Sequence, residues 1–281
     1  MELISPQSMD FGKSHRLFDF HKGMAGRVAI IAGSAQYTGA AVLAAMGALR
    51  GGCGLITLHV PAHAALAIAS RCPPEIIIRG FSSFHELHDL AADSLVVGCG
   101  IGELESSDGE ALLEVIANTR IPTVIDADAL NLIARSDEHR LFTKQHVITP
   151  HPGEFRRLAP DLSELPRESA ARSFTDRFPC TLLLKGCRTI ITATGNPLWC
   201  NSTGTPGMAS GGQGDLLAGV LGSLLALGNP PLQSAALAAW LCGRAAEIAL
   251  NQPGISEESL APSDVAQHLG GAYSDWKSSR R

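Results

Sequence analysis

Apolar residues come along this chain in short unbroken runs rather than in strict alternation. The runs at 28–32, 55–60, 75–78, 94–97, 122–125 and 145–148 each predict a strand buried on both faces, the pattern of a parallel sheet covered by helices. Between them, apolar positions recur at helical spacing over 39–49, 62–70 and 111–118, and a mixed-charge helix is expected over 162–178. A further run at 181–184 ends in Lys185-Gly186-Cys187-Arg188-Thr189 and leads into a strand over 189–193. This pair reads as a hairpin at one side of the sheet. An Ala-rich helix with Trp240 is expected over 233–250, and weak apolar spacing continues through Val265 and Leu269. From Gly271 the tail is expected to fray. Residues 1–26 read as a polar N-terminal arm. Together these elements predict an α/β fold, a mostly parallel central sheet with helices on both faces, in a single domain spanning 1–281.

One stretch breaks the rhythm. Residues 201–214 are rich in Gly, Ser and Thr, and then Leu216, Leu217, Val220, Leu221, Leu224 and Leu225 recur at helical spacing. A helix is therefore expected to begin near Gly214 or Asp215. A glycine loop feeding a helix N-terminus presents unpaired N–H groups beside the positive end of the helix dipole, so Gly212, Gln213 and Gly214 form a candidate anion site. Asp215 at its mouth has two readings of equal weight. It is an N-cap, a common task for Asp, or it takes a proton from a hydroxyl that attacks a phosphoryl group held by the glycines.

Other loops follow predicted strands, where open α/β sheets bind ligands. They are Gly33 to Ala40 (GSAQYTGA), Gly98 to Gly102 (GCGIG), the DADALN segment with Asp126, Asp128 and Asn131, and TPHPGEF with His151. One of the two acids is expected to cap a helix; the other could orient a metal-bound water or a substrate hydroxyl. His151 lies between two prolines, whose stiff backbone suits a firmly held side chain. Lys185 beside Gly186 suits the phosphates of a nucleotide, or is a solvated turn lysine. The pairs His59/His63 and His85/His88 match no metal-ligand spacing, so no protein-only metal site is expected.

A formal net charge of −5 offers no electrostatic case for nucleic acid or an anionic membrane. Seven scattered cysteines without a C-x-x-C pair argue against a disulfide framework and for a reducing compartment. The first 24 residues lack the apolar core of a secretion signal, and no apolar run is long enough to span a bilayer. A cytoplasmic location is expected.

The ordered set HKG…G, GS…TGAA, RGGCGLITL, VIDADALN, TPHPGE, KG…T and NSTGTPGMASGGQGD resembles the nucleotide-dependent NAD(P)H-hydrate dehydratases, from about His21 to Leu250. The resemblance implies a ribokinase-like fold and an activity that repairs damaged nicotinamide cofactors. ADP, or ATP in eukaryotic members, phosphorylates the hydroxyl of NADHX or NADPHX; phosphate then leaves and restores NADH or NADPH, with AMP as coproduct when ADP is used. It places Ala40, Gly102, His151 and Asp215 on the hydrate side, and Lys185, Gly186, Cys187, Arg188, Thr189 and Gly214 on the nucleotide side. It implies Asp215 as the base, Mg²⁺ on the phosphates, a homo-tetramer, and a separate epimerase for the two hydrate epimers. In that tetramer the Ala-rich helix over 39–49 is expected to pack against a neighbouring subunit. One departure stands out, since the usual GGTGD reads GGQGD here and Gln213 removes a hydroxyl beside the anion site. A ribokinase-fold kinase acting on a vitamin-precursor alcohol, or a nucleotide sensor without catalysis, are the alternatives; a stable phosphorylated product would mark the first, and binding without turnover the second.

Overall fold

Within each apolar run, successive residues point to opposite layers of helices. In the computed structural model, which describes residues 1–8 and 18–279, the chain forms β1 (Glu2–Ile4), β2 (Arg27–Ile31), α1 (Thr38–Gly51), β3 (Leu55–Pro61), α2 (Ala65–Ala69), β4 (Ile77–Phe81), β5 (Ser94–Val97) and α3 (Ser106–Asn118). It continues with β6 (Thr123–Ile125), α4 (Ala127–Ser136), β7 (His146–Ile148), α5 (Pro152–Leu158), α6 (Arg167–Arg177), β8 (Thr181–Leu184), β9 (Ile190–Ala193) and β10 (Trp199–Asn201). Three long helices complete it: α7 (Gln213–Ala226), α8 (Pro231–Ala249) and α9 (Pro262–Ser278).

The strands make one ten-stranded sheet in the order β1-β10-β9-β8-β7-β6-β5-β2-β3-β4. All neighbours pair in parallel except β9, which runs against both β8 and β10. Val28, Ile30, Val96 and Leu183 face a layer containing α1, α7, α8 and α9. Ala29, Ile31, Val97, Leu182 and Leu184 face a second layer containing α3, α4, α5 and α6. Burial on both faces explains why these strands carry unbroken apolar runs. The expected α/β architecture and the β8–β9 hairpin are both present.

Helix α7 is the best-buried helix at the site end, and its position is set by backbone contact. A Cβ on Gly219 would lie 1.9 Å from Ala44 O, and one on Gly47 would lie 2.2 Å from Leu216 O, so α1 and α7 touch main chain to main chain. On the sheet side, a Cβ on Gly222 would lie 2.3 Å from Val96 Cγ2, and Ser94 Oγ donates to Gly222 O at 2.7 Å. The Ala-rich helix expected to meet a neighbouring subunit thus spends its small residues inside the chain, against α7.

Several expectations need correction. The N-terminal arm contributes β1, which pairs with β10 through Glu2↔Trp199; neither short strand carries enough alternation to be recognised alone. The part of that arm at 9–17 lies outside the described residues. The expected frayed tail is instead the end of α9, where Trp276 is buried against Trp240 with ring centroids 4.8 Å apart. Helix 162–178 begins only at Arg167, because Pro166 is its N-cap and a 3₁₀ turn precedes it. The third strand shifts from 75–78 to Ile77–Phe81, as a turn at Pro73 carries the chain past Ile76 before pairing with β3 begins.

Candidate active site

The parallel strands β2 to β8 all end on one edge, and the strand order reverses between β2 and β5. Loops leaving those two strands diverge there and open a crevice, the usual ligand position in such sheets. The Gly33 amide donates to Cys99 O at 2.8 Å, which ties the two loops together. A Cβ on Gly100 (φ +62) would lie 2.6 Å from Ala40 Cβ, so Ala40 abuts the 98–102 loop. The Gly102 amide donates to Asp128 Oδ2 at 2.8 Å. Ala40 and Gly102 therefore lie on one side of the crevice.

Strand β6 ends in Asp126, the N-cap of α4, whose Oδ1 accepts from the Ala127 amide at 2.9 Å and from Lys185 Nζ at 2.7 Å. Of the two acids, Asp126 is the cap and Asp128 holds the Gly102 loop. Ala127 sits at φ +50, a left-handed conformation that costs a non-glycine residue on the order of 1–3 kcal/mol and that clusters at functional sites.

Strand β7 leads to His151, which caps α5. Its Nδ1 accepts from the Gly153 amide at 2.9 Å and the Glu154 amide at 3.4 Å, while its own amide donates to Glu154 Oε2 at 2.7 Å. An accepting Nδ1 puts the proton of the neutral ring on Nε2. Burial, with the charge of Lys185, holds the imidazole below its ordinary pKa. Its side chain remains 51% exposed, so it can serve as both a cap and a ligand contact.

Strand β8 delivers Lys185. Its amide donates to Pro150 O at 2.9 Å, and its Nζ lies 3.7 Å from Glu154 Oε2 as well as on Asp126. Burial opposes the ammonium charge, but Asp126 and Glu154 outweigh it and hold the lysine above its ordinary pKa. Beyond it, Arg188 sits at φ +56 and Thr189 Oγ1 donates to Gly186 O at 3.2 Å, while Cys187 is exposed.

Helix α7 closes the site. Its N-cap is Gly212 at φ +93, with no side-chain cap, so Asp215 is not the cap but a first-turn residue. A Cβ on Gly214 would lie 3.2 Å from Lys185 Nζ and 3.6 Å from Asp126 Oδ2, which places the glycine loop directly over the ion pair. Burial, and then the charge of Asp126, push the Asp215 carboxyl up to about 6, against the opposing effects of a hydrogen bond from the Cys99 thiol and the charge of Lys185. Gln213 Nε2 reaches Ser210 Oγ at 3.4 Å, and its Oε1 is buried without a partner.

Of the residues singled out in the sequence, Asp126, Asp128, His151, Lys185, Gly214 and Asp215 thus come together, with Gly102 tied in through Asp128. Two participants were not among them: Glu154, buried beside Lys185, and Cys99, buried beneath Asp215. Both lie in loops singled out in the sequence, TPHPGEF and GCGIG, but no local pattern marks either side chain, since a capping box ordinarily starts with Ser or Thr rather than His. A separate cavity of about 280 Å³, between residues 84–90 and α3, contains none of these groups.

Gly214→Ala is expected to weaken nucleotide binding about tenfold by pushing Lys185 Nζ off Asp126, and to lower Tm, because the buried Asp126 carboxylate loses its partner at a cost that outweighs the roughly 1 kcal/mol by which Ala favours a helix over Gly. Calorimetric titration with ADP checks the first and thermal melts the second.

The profile of the NAD(P)H-hydrate dehydratase family matches residues 28–269. The chain belongs to this family. It is 35% identical over 252 residues to the ADP-dependent (S)-NAD(P)H-hydrate dehydratase of Neisseria meningitidis serogroup B, covering 88% of this chain and 84% of that one. It is 41% identical to the bifunctional NAD(P)H-hydrate repair enzyme of Methanothermobacter thermautotrophicus over 83% of this chain; the match spans only 47% of that longer protein. Among solved structures, a ribokinase-like superfamily protein of Enterococcus faecalis superposes with a TM-score of 0.82 at 25% identity, covering 98% and 96% of the two chains. The ADP/ATP-dependent dehydratase of Bacillus subtilis, co-crystallised with ATP/Mg²⁺, superposes at 0.81 with 24% identity and 98% coverage of both. The fold of this dehydratase-family chain is accordingly ribokinase-like.

Proposed function

We propose that this protein dehydrates NADHX and NADPHX back to NADH and NADPH, with ADP as phosphoryl donor and AMP and phosphate as coproducts. The observation that carries this reading is the position of Asp215. It is a partly buried carboxylate in the first turn of a helix whose glycine N-terminus faces Lys185, close enough to feel the charges of Asp126, Lys185 and Asp128, the last of which holds the Gly102 loop.

Asp215 takes the proton of the ring hydroxyl, and the freed oxygen attacks the terminal phosphorus of ADP as the bond to AMP breaks. The N–H groups at 212–214 and Lys185 stabilise the charge on the phosphoryl oxygens. Departure of phosphate and loss of a ring proton then restore the double bond. Ala40, Gly102 and His151 hold the hydrate, with His151 Nε2–H as donor; residues 185–189 and Gly214 hold the nucleotide. The donor chemistry fits Mg²⁺, which binds phosphate oxygens together with one or two carboxylates; Asp126, whose Oδ2 faces Gly214, would hold it there. When bound, it neutralises phosphate charge. Among the described residues no helix is long and apolar enough to cross a membrane. The bifunctional relatives support a working partnership with an epimerase; a homo-tetramer and a cytoplasmic location complete the reading, with the whole chain acting as one domain.

The deciding assay mixes protein, Mg²⁺ and NADH hydrate with ADP or ATP and follows the return of NADH absorbance. Recovery with ADP is expected to exceed recovery with ATP. A phosphorylated dinucleotide that accumulates without NADH would replace the dehydratase with a kinase.

A further inference from the structure

Arg167 opens α6, far from every motif above, yet its guanidinium reaches into the loop after β8. It donates to three main-chain carbonyls there: Nη1 to Cys187 O at 2.8 Å, and Nη2 to both Leu184 O and Lys185 O at 3.2 Å. A fourth carbonyl, Gly186 O, accepts from Thr189 Oγ1. Side chains therefore hold every carbonyl from 184 to 187.

A peptide unit is planar and its C=O and N–H point in opposite directions. Turning Lys185 O and Cys187 O toward Arg167 therefore turns the Gly186 and Arg188 amides away from it. The Lys185 amide is taken by Pro150 O, whereas those of Gly186, Cys187 and Arg188 donate to no protein group among the described residues. Gly186 at φ +139 and Arg188 at φ +56 supply the two left-handed turns that this arrangement needs. Consecutive free amides around a left-handed residue make an anion-binding concavity.

We infer that Arg167 is a positioning residue that shapes the 185–188 loop into a phosphate cradle by holding its carbonyls on the far side. Its own charge acts behind the loop rather than on the ligand. Arg suits the task because its planar fork offers five donors in fixed directions, which the single rotating ammonium of Lys cannot match. This inference rests on the nucleotide reading of the loop given above.

The test is ADP binding by calorimetry to the wild type, Arg167→Ala, Arg167→Gln and Arg167→Lys, each first shown by circular dichroism to be folded. Arg167→Ala is expected to weaken ADP about tenfold or more and to raise its KM, while the KM for the hydrate stays unchanged. Added guanidinium should restore part of the lost affinity, and sodium chloride at equal ionic strength should not. Arg167→Lys should fall between Ala and the wild type. ADP affinity within twofold of wild type in folded Arg167→Ala and Arg167→Gln would overturn the inference. Equal loss of hydrate and nucleotide binding would also overturn it, because the arginine would then serve general stability. A wild type that binds no ADP would instead remove the nucleotide reading itself.

Discussion

Asp215→Asn is expected to abolish turnover and, at neutral pH, to make the protein more stable. The loss should reach about 10²–10⁴-fold or more, the usual contribution of a positioned base, with ADP affinity largely kept. The gain follows from linkage. Asp215 is raised from the usual 3.8 to about 6 in the folded chain, so the fold binds its proton more tightly than the unfolded chain does. Its stability contribution is intact below 3.8 and lost as pH rises through about 6. At roughly 1.4 kcal/mol per pKa unit, the ionised carboxylate costs the fold on the order of 2–3 kcal/mol above pH 7. Asn removes that charge, and Tm should rise by about 5 °C or more at pH 7.5. Near pH 4 the advantage should vanish, because the wild-type carboxyl is then protonated in the fold. The same titration predicts that kcat/KM of the wild type falls as pH drops below about 6. Melting both proteins at the two pH values checks the claim; an equal Tm difference at both would show that burial does not burden the carboxylate.

Gly219→Ala should have the largest effect on stability of any single methyl added to the chain's interior helices. The new Cβ would lie 1.9 Å from Ala44 O and 2.8 Å from Ala48 N, both main-chain atoms of α1 that cannot rotate aside. Either α1 or α7 must move, and α7 is also held on β5 through Gly222. A cost of about 3 kcal/mol or more is expected, at the upper end for overpacking, read as a fall in the denaturant midpoint. Gly47→Ala meets the same contact from the other side, so the double variant should cost less than the sum of the two singles. Activity should fall further than stability explains, because displacing α7 displaces Gly214 and Asp215. Gly211→Ala, with nothing within 4 Å of the new Cβ, should be neutral and serves as the control.

How much of this was readable beforehand varied with the physics involved. Strands such as 94–97 were legible because double burial demands an unbroken apolar run, and pairing then set their ends. The site loops were legible because glycines and prolines mark where backbone must turn sharply at a strand end. Strand β1 escaped because it is three residues long and pairs only with β10, almost 200 positions away in sequence; β10 is equally short, and its ladder with β9 covers only two residue pairs. Arg167 escaped for a related reason. On a mixed-charge helix it looks like any solvated arginine, and only the tertiary fold brings three carbonyls within its reach. The two readings of Asp215 could not be separated from sequence, since both need an acid at a helix start; the left-handed φ of Gly212 decides that glycine, not aspartate, is the cap.

The main-chain contact between α1 and α7 also bears on how this protein is made. Helix α1 is synthesised early, but the surface that its small residues cover arrives only with residues 213–226. At roughly 5–20 residues per second, a ribosome leaves that face of the nascent sheet bare for about ten to thirty seconds. Helices α8 and α9, which complete the same layer, arrive later still. The half of the core that carries α7 therefore condenses after the other half, and a chain stalled before residue 226 should be a ready client for chaperones that shield apolar surface.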